Sequence, residues 1–206
     1  MRSLFVSLLV AITTMLAALP MADAQGGAAT RYLRQRHDDV NRILRRDATT
    51  DAARTQRSAD VTRILSDLLD YDELSRRALG AHWEARTPEQ RARFVSLLRQ
   101  LVERNYEQNL ERVLEFEVSY VGEQATAEGT IVTTSAQSRA ERRQPPVEIA
   151  YSMHVVGGSW RVYDVNTDGV SLVRNYQNQF NRIITQHNWD ELIRRMEQRL
   201  ADGAAQ

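Results

Sequence analysis

Apolar and polar positions change their period within one stretch, Gly157 to Ile184. After Gly157-Gly158, Trp160, Val162 and Asp164 alternate with Arg161, Tyr163 and Val165, a pattern that predicts a β-strand. Gly169 ends the alternation. Beyond it Val170, Val173, Tyr176, Phe180 and Ile183 recur every three or four residues, which predicts a helix with a broad apolar face. Arg174, Asn175, Gln177, Asn178, Asn181 and Arg182 form its polar side. A strand followed at once by such a helix hides the apolar face most simply if the helix lies across the sheet.

The rest of the chain separates into helices and then strands. Leu33, His37, Val40 and Leu44 mark a first helix, and Val61, Ile64, Leu65, Leu68 and Leu69 a second, with Arg45 to Thr55 as a polar link. Asp70, with Glu73 three residues on, starts a short helix that stops at Gly80. Thr87-Pro88-Glu89-Gln90 has the form of a capping box with proline in the first turn. The helix it opens is expected to run to about Val113, with Phe94, Leu97, Leu98 and Leu101 on its apolar side. Strands are predicted from Leu114 to Tyr120, from Ala125 to Thr134 after a turn at Gly122-Glu123-Gln124, and through Val147, Ile149, Tyr151, Met153 and Val155. Ser135 to Pro146 reads as a solvated loop, and Asn188 caps a final helix through Trp189, Ile193, Met196 and Leu200. Consecutive strands on short turns predict an antiparallel meander with one covered face in an α+β domain.

The first residues set the compartment. Met1, Arg2 and Ser3 lead into an uncharged run from Leu4 to Leu19, and Ala22-Asp23-Ala24 has the small-x-small form of a signal-peptidase site. The run is shorter than the ~20 residues a spanning helix needs. A cleaved signal peptide over residues 1–24 and a single domain over 25–206 are expected. With no cysteine, thiolate metal sites are excluded and the core must supply the stability. The 27 basic and 27 acidic residues cancel, which argues against a nucleic-acid binder.

Candidate chemistry is sparse. His37, His82, His154 and His187 are scattered, without metal spacing, and no metalloprotease, hydrolase or phosphate-loop motif is present. Asp164-x-Asn166-x-Asp168-Gly169 matches the first half of a calcium loop, but Asn175 stands where the bidentate glutamate belongs and a strand precedes it. The plainer reading is a strand-to-helix turn. Asp164 beside Tyr163 could serve as a base in a pocket enzyme. Arg139, Arg142 and Arg143 could meet a phosphate or an acidic partner, or simply be solvated.

Two blocks carry a family resemblance. LLDYDELSRRALGAHWEARTPEQRARF, from Leu68 to Phe94, and the block from Trp160 to Ile184 with WRVYDV, GVSLVRNY and QFNRII resemble the MlaC family. These are soluble periplasmic phospholipid carriers, also called toluene-tolerance auxiliary proteins. The resemblance implies a curved antiparallel sheet of four or slightly more strands, covered by N-terminal and C-terminal helices around an apolar cavity, a fold of the nuclear-transport-factor-2 type. It implies bound phospholipid as cargo, with no cofactor and no covalent chemistry. The implied partners are an inner-membrane ABC transporter with an MCE-domain subunit and an outer-membrane lipoprotein complex. Alternation then assigns Val147, Ile149, Tyr151 and Met153 to the pocket, with Tyr163 and Val165 or their neighbours Trp160 and Val162 from the next strand. Leu69, Leu79, Phe94, Leu98, Leu101, Val173, Tyr176 and Phe180 complete it from the helices. A pocket enzyme and an interaction protein with a dry core are the rival readings.

Overall fold

The computed structural model describes residues 26–202, so the predicted signal peptide and Gly203 lie outside the described residues. Four helices come first: α1 (Ala28–Leu44), α2 (Asp51–Leu68), α3 (Tyr71–Leu79) and α4 (Pro88–Gln108). Their starts are chemically local. Thr50 Oγ1 accepts the Ala53 N–H, Asp70 Oδ1 accepts the Glu73 N–H, and Thr87 and Gln90 form the reciprocal capping box. α1 is different. Gly27 has no side chain to cap it, and Glu123, far along the chain, accepts the Thr30 N–H at 2.7 Å.

α4 stops at Gln108, short of the Val113 that periodicity suggested. Leu110–Glu115 winds as a 3₁₀ segment instead, and Leu110, Val113 and Leu114 join the apolar residues of α1 and α2.

The strands are β1 (Phe116–Thr126), β2 (Gly129–Ser138), β3 (Val147–Val156), β4 (Ser159–Thr167) and the short β5 (Val170–Ser171), antiparallel and in sequential order. The turn expected at Gly122-Glu123-Gln124 is instead inside β1. A β-bulge shifts the register between Tyr120 and Gly122, so the flexible glycine bends the strand without ending its pairing. The chain reverses at Ala127-Glu128, where Gly129 (φ 149°) is obligatory: a Cβ there would lie 2.1 Å from the Met153 carbonyl oxygen. A second bulge between Ser152 and Met153 makes Tyr163 the extra residue of β4. It places Trp160, Val162 and Val165 opposite Val155, Met153 and Tyr151, on one face, and Asp164 on the other.

α1 covers that face. Ala29 and Leu33 pack with Leu68 of α2 against Val132, Met153 and Val162. The helix expected to lie across the sheet, α5 (Leu172–Gln186), does not: Val173 and Phe180 pack among α3, α4 and α6 (Trp189–Asp202). The reason lies at its first turn. Asp164, on the sheet face opposite α1, accepts the Ser171 hydroxyl at 2.6 Å and the Val173 N–H at 3.0 Å, and so directs α5 away from the covered face. Among the described residues no helix is long and apolar enough to cross a membrane.

Candidate functional site

A domain of this size ordinarily has one contiguous apolar core. Here the buried residues fall into three clusters. The helical cluster holds Leu74, Leu79, Phe94, Leu98, Val173, Phe180, Trp189 and Leu192, closed by an edge-on contact of Phe94 with Phe180 at 5.4 Å. The sheet cluster lies between β2–β4 and α1, and the third joins α1 and α2 to the 3₁₀ segment.

Partly buried apolar residues flank every cluster. They are Leu101, Val102 and Tyr176 for the helices, Leu69, Tyr120, Tyr151 and Val165 for the sheet, and Tyr106, Val113 and Leu114 for the third. Val147 and Ile149, also partly buried, continue the Tyr151 face of β3, opposite Ala136 and Thr134 of β2. Burial pushes the Tyr106 phenol up to about 12 and the Tyr151 phenol higher still, the Tyr106 hydroxyl adding to the second effect.

The residues expected to line one pocket therefore divide. Leu79, Phe94, Leu98, Val173 and Phe180 are buried against one another, and Met153 is buried in the sheet cluster. Leu69, Leu101, Val147, Ile149, Tyr151, Val165 and Tyr176 are only partly buried and keep accessible surface. Tyr163 is elsewhere, its ring 4.9 Å from that of His154 and 4.3 Å beneath the Arg77 guanidinium. Sequence reasoning passed over Val102 and Tyr106, although they follow Leu98 at four-residue intervals on α4. It had no means of finding Tyr120 and His37 as neighbours, because only the pairing of α1 with the sheet makes them so.

The acid-base and calcium candidates are occupied by structural work. Both Asp164 oxygens are committed to the start of α5. Asp168 Oδ1 accepts the Glu148 N–H at 2.9 Å, and the described residues contain no group of three or more His, Asp or Glu that could hold a metal ion. Arg139 and Arg142 approach Glu117 at 3.7 and 3.9 Å. A surface groove of about 530 Å³ beside Arg76, Arg77, Trp83 and Arg174 is polar, and its Arg77 already bridges Glu73 and Glu128.

The sequence profile of the MlaC protein family matches residues 34–198, which take in all five strands and α2 to α5 entire. The chain belongs to the MlaC family. It is 23% identical over 142 residues to the intermembrane phospholipid transport system binding protein MlaC of Haemophilus influenzae, a match that spans 66% of each chain. Among solved structures it is similar to a phospholipid-binding protein from Ralstonia solanacearum in complex with a phospholipid, with a TM-score of 0.71 and 24% identity. That match covers 86% of this chain and 99% of the other, and it shows that the two share a fold.

Proposed function

We propose that this protein is a periplasmic phospholipid carrier whose cargo lays its acyl chains in the seam between the three clusters. The observation that carries this reading is the divided core, flanked on all sides by half-buried apolar residues, in a chain of the MlaC family. A phospholipid is bound by the related Ralstonia protein, and phospholipid transport names the Haemophilus relative.

The energetics constrain how such a carrier works. Two chains of ~16 carbons at ~0.8 kcal/mol per buried CH₂ amount to roughly 25 kcal/mol of gross transfer free energy. Release into water is then too slow to serve transport, so cargo leaves only where a docked partner offers another apolar path and favours an opened seam. Partners of that kind are an inner-membrane ABC transporter with an MCE-domain subunit and an outer-membrane lipoprotein complex, between which the carrier shuttles.

Lipid extraction and native mass spectrometry of protein purified from cells test the reading. A stoichiometric diacyl phospholipid is expected, and a domain that comes through purification with no lipid and takes up none from vesicles would overturn it. Ile149→Asp places a charge beside the seam and is expected to lower lipid retention more than it lowers secreted yield.

A further inference from the structure

Three polar side chains meet between α1 and the sheet, His37 of α1, Tyr120 of β1 and Tyr151 of β3, and Tyr106 of α4 lies on the side of Tyr151. The His37 ring centroid lies 5.9 Å from that of Tyr120 and 5.6 Å from that of Tyr151. Tyr120 Oη and His37 Nδ1 are hydrogen-bonded at 2.8 Å. Tyr106 is near enough to Tyr151 for its hydroxyl to oppose ionisation of that phenol. Around them are the apolar flanks already described, so the four form a polar island in a greasy setting.

The island is neutral. Burial pulls His37 down to about 4 and holds Tyr106, Tyr120 and Tyr151 protonated. The charges that bear on it are opposed: the Arg34 guanidinium lies 4.6 Å over the Tyr120 ring, and Asp38 acts on both His37 and Tyr120. In the tautomer where Tyr120 donates to Nδ1, the proton of neutral His37 sits on Nε2, which makes the ring a donor on its other side. The Tyr106 hydroxyl has no hydrogen-bond partner among the described residues.

A ligand group that suits this island must accept hydrogen bonds, carry no charge and sit within an apolar ligand. A phosphate is excluded by the cost of desolvating an anion where the nearest cation is offset by Asp38. An acyl chain offers no acceptor. We propose that His37 and Tyr106, held in this island with Tyr120 and Tyr151, donate hydrogen bonds to the ester carbonyls of a diacyl lipid, at the point where the acyl chains join the glycerol. This rests on the carrier reading and adds to it that the protein distinguishes ester-linked from ether-linked lipids of equal chain length.

The test is a competition. Purified, delipidated protein is incubated with vesicles holding equal amounts of diacyl and dialkyl phosphatidylethanolamine of the same chain lengths, and the retained lipid is identified by native mass spectrometry. A preference of about three- to tenfold for the ester lipid is expected, the range that one or two net hydrogen bonds confer. In Tyr106→Phe the preference is expected to fall toward parity, while the melting temperature holds or rises because no hydrogen bond within the protein is lost. Equal retention of the two lipids by the parent protein would overturn the island's role and leave the carrier reading standing. An undiminished preference in Tyr106→Phe and in His37→Phe would overturn the assignment to these residues. Retention of neither lipid would overturn this inference and the carrier reading together.

Discussion

His154 Nε2 lies 2.7 Å from Asp70 Oδ2, and this contact joins the β3–β4 hairpin to the first turn of α3. The same aspartate caps α3 through Oδ1, and its own N–H donates to the Val162 carbonyl at 2.8 Å. Leu69 pairs with Val162 as an isolated bridge. One short junction thus ties the sheet to the helical layer, and Leu69 beside the seam is held by it.

Removal of the Asp70 side chain is expected to cost more than removal of its partner. Asp70→Ala loses a cap and leaves His154 unpaired, for about 1–3 kcal/mol, whereas His154→Ala leaves the cap in place and costs about 1 kcal/mol. Urea denaturation of the two variants measures the difference. Equal losses would mean that the cap contributes nothing beyond the pair.

Asp164 is expected to behave as a structural residue. Asp164→Ala strips the Ser171 hydroxyl and the Val173 N–H of their acceptor and should lower stability by about 1–3 kcal/mol. Added calcium or a chelator should leave the melting temperature of the parent protein unchanged, since metal bound to the native state would raise it. A calcium-dependent shift would return the Asp164-Asn166-Asp168 loop to the list of metal sites.

Acid should act on this fold in two stages. His37 has its folded-state value lowered by burial from 6.5 to about 4, so between those values the unfolded chain binds the extra proton. Stability present above pH 6.5 is therefore lost as the pH falls toward 4, by up to about 2–3 kcal/mol. Glu73 is lowered from 4.5 to about 2, chiefly by its hydrogen bonds from Arg76, with Arg77 adding to them. Its contribution is present above pH 4.5 and is lost between there and pH 2. Because those arginines reach solvent, that second loss should be about 1 kcal/mol or less. Denaturation midpoints across pH measure both stages: His37→Phe should flatten the first and Glu73→Gln the second. A first stage unchanged in His37→Phe would show that the imidazole is not the group responsible.

The local signals in the sequence were reliable where a few neighbouring residues decide the outcome. The capping box at Thr87 and Gln90, the Asp70 and Asn188 caps and the strand through Val147 to Val155 all appear as side-chain chemistry alone predicts, although Val155 at its end is exposed. They depend on contacts within three or four residues or on the strand's own period. The ends of elements were less legible. Gly122 and Gly129 are the same residue type, but one bends β1 at a bulge and the other follows the reversal, and only the register against β2 separates them.

The candidate site shows the same division. Apolar identity at Ile149, Tyr151, Val165 and Leu101 was readable from periodicity, but whether such a residue ends in closed packing or beside a seam was not. Phe94 and Tyr106 sit on one helix with equally good patterns, yet one is fully buried against Phe180 and the other is only partly buried. What the chain alone determined was most of its helices and strands, the caps at Asp70, Thr87 and Asn188, and the family to which the two motif blocks point, because these depend on neighbours along the backbone. What the tertiary structure decided was which helix covers the sheet, how the core divides and which polar side chains meet inside it. Each of those depends on distant residues arriving at one place, as Glu123 does at the start of α1 and Asp164 at the start of α5.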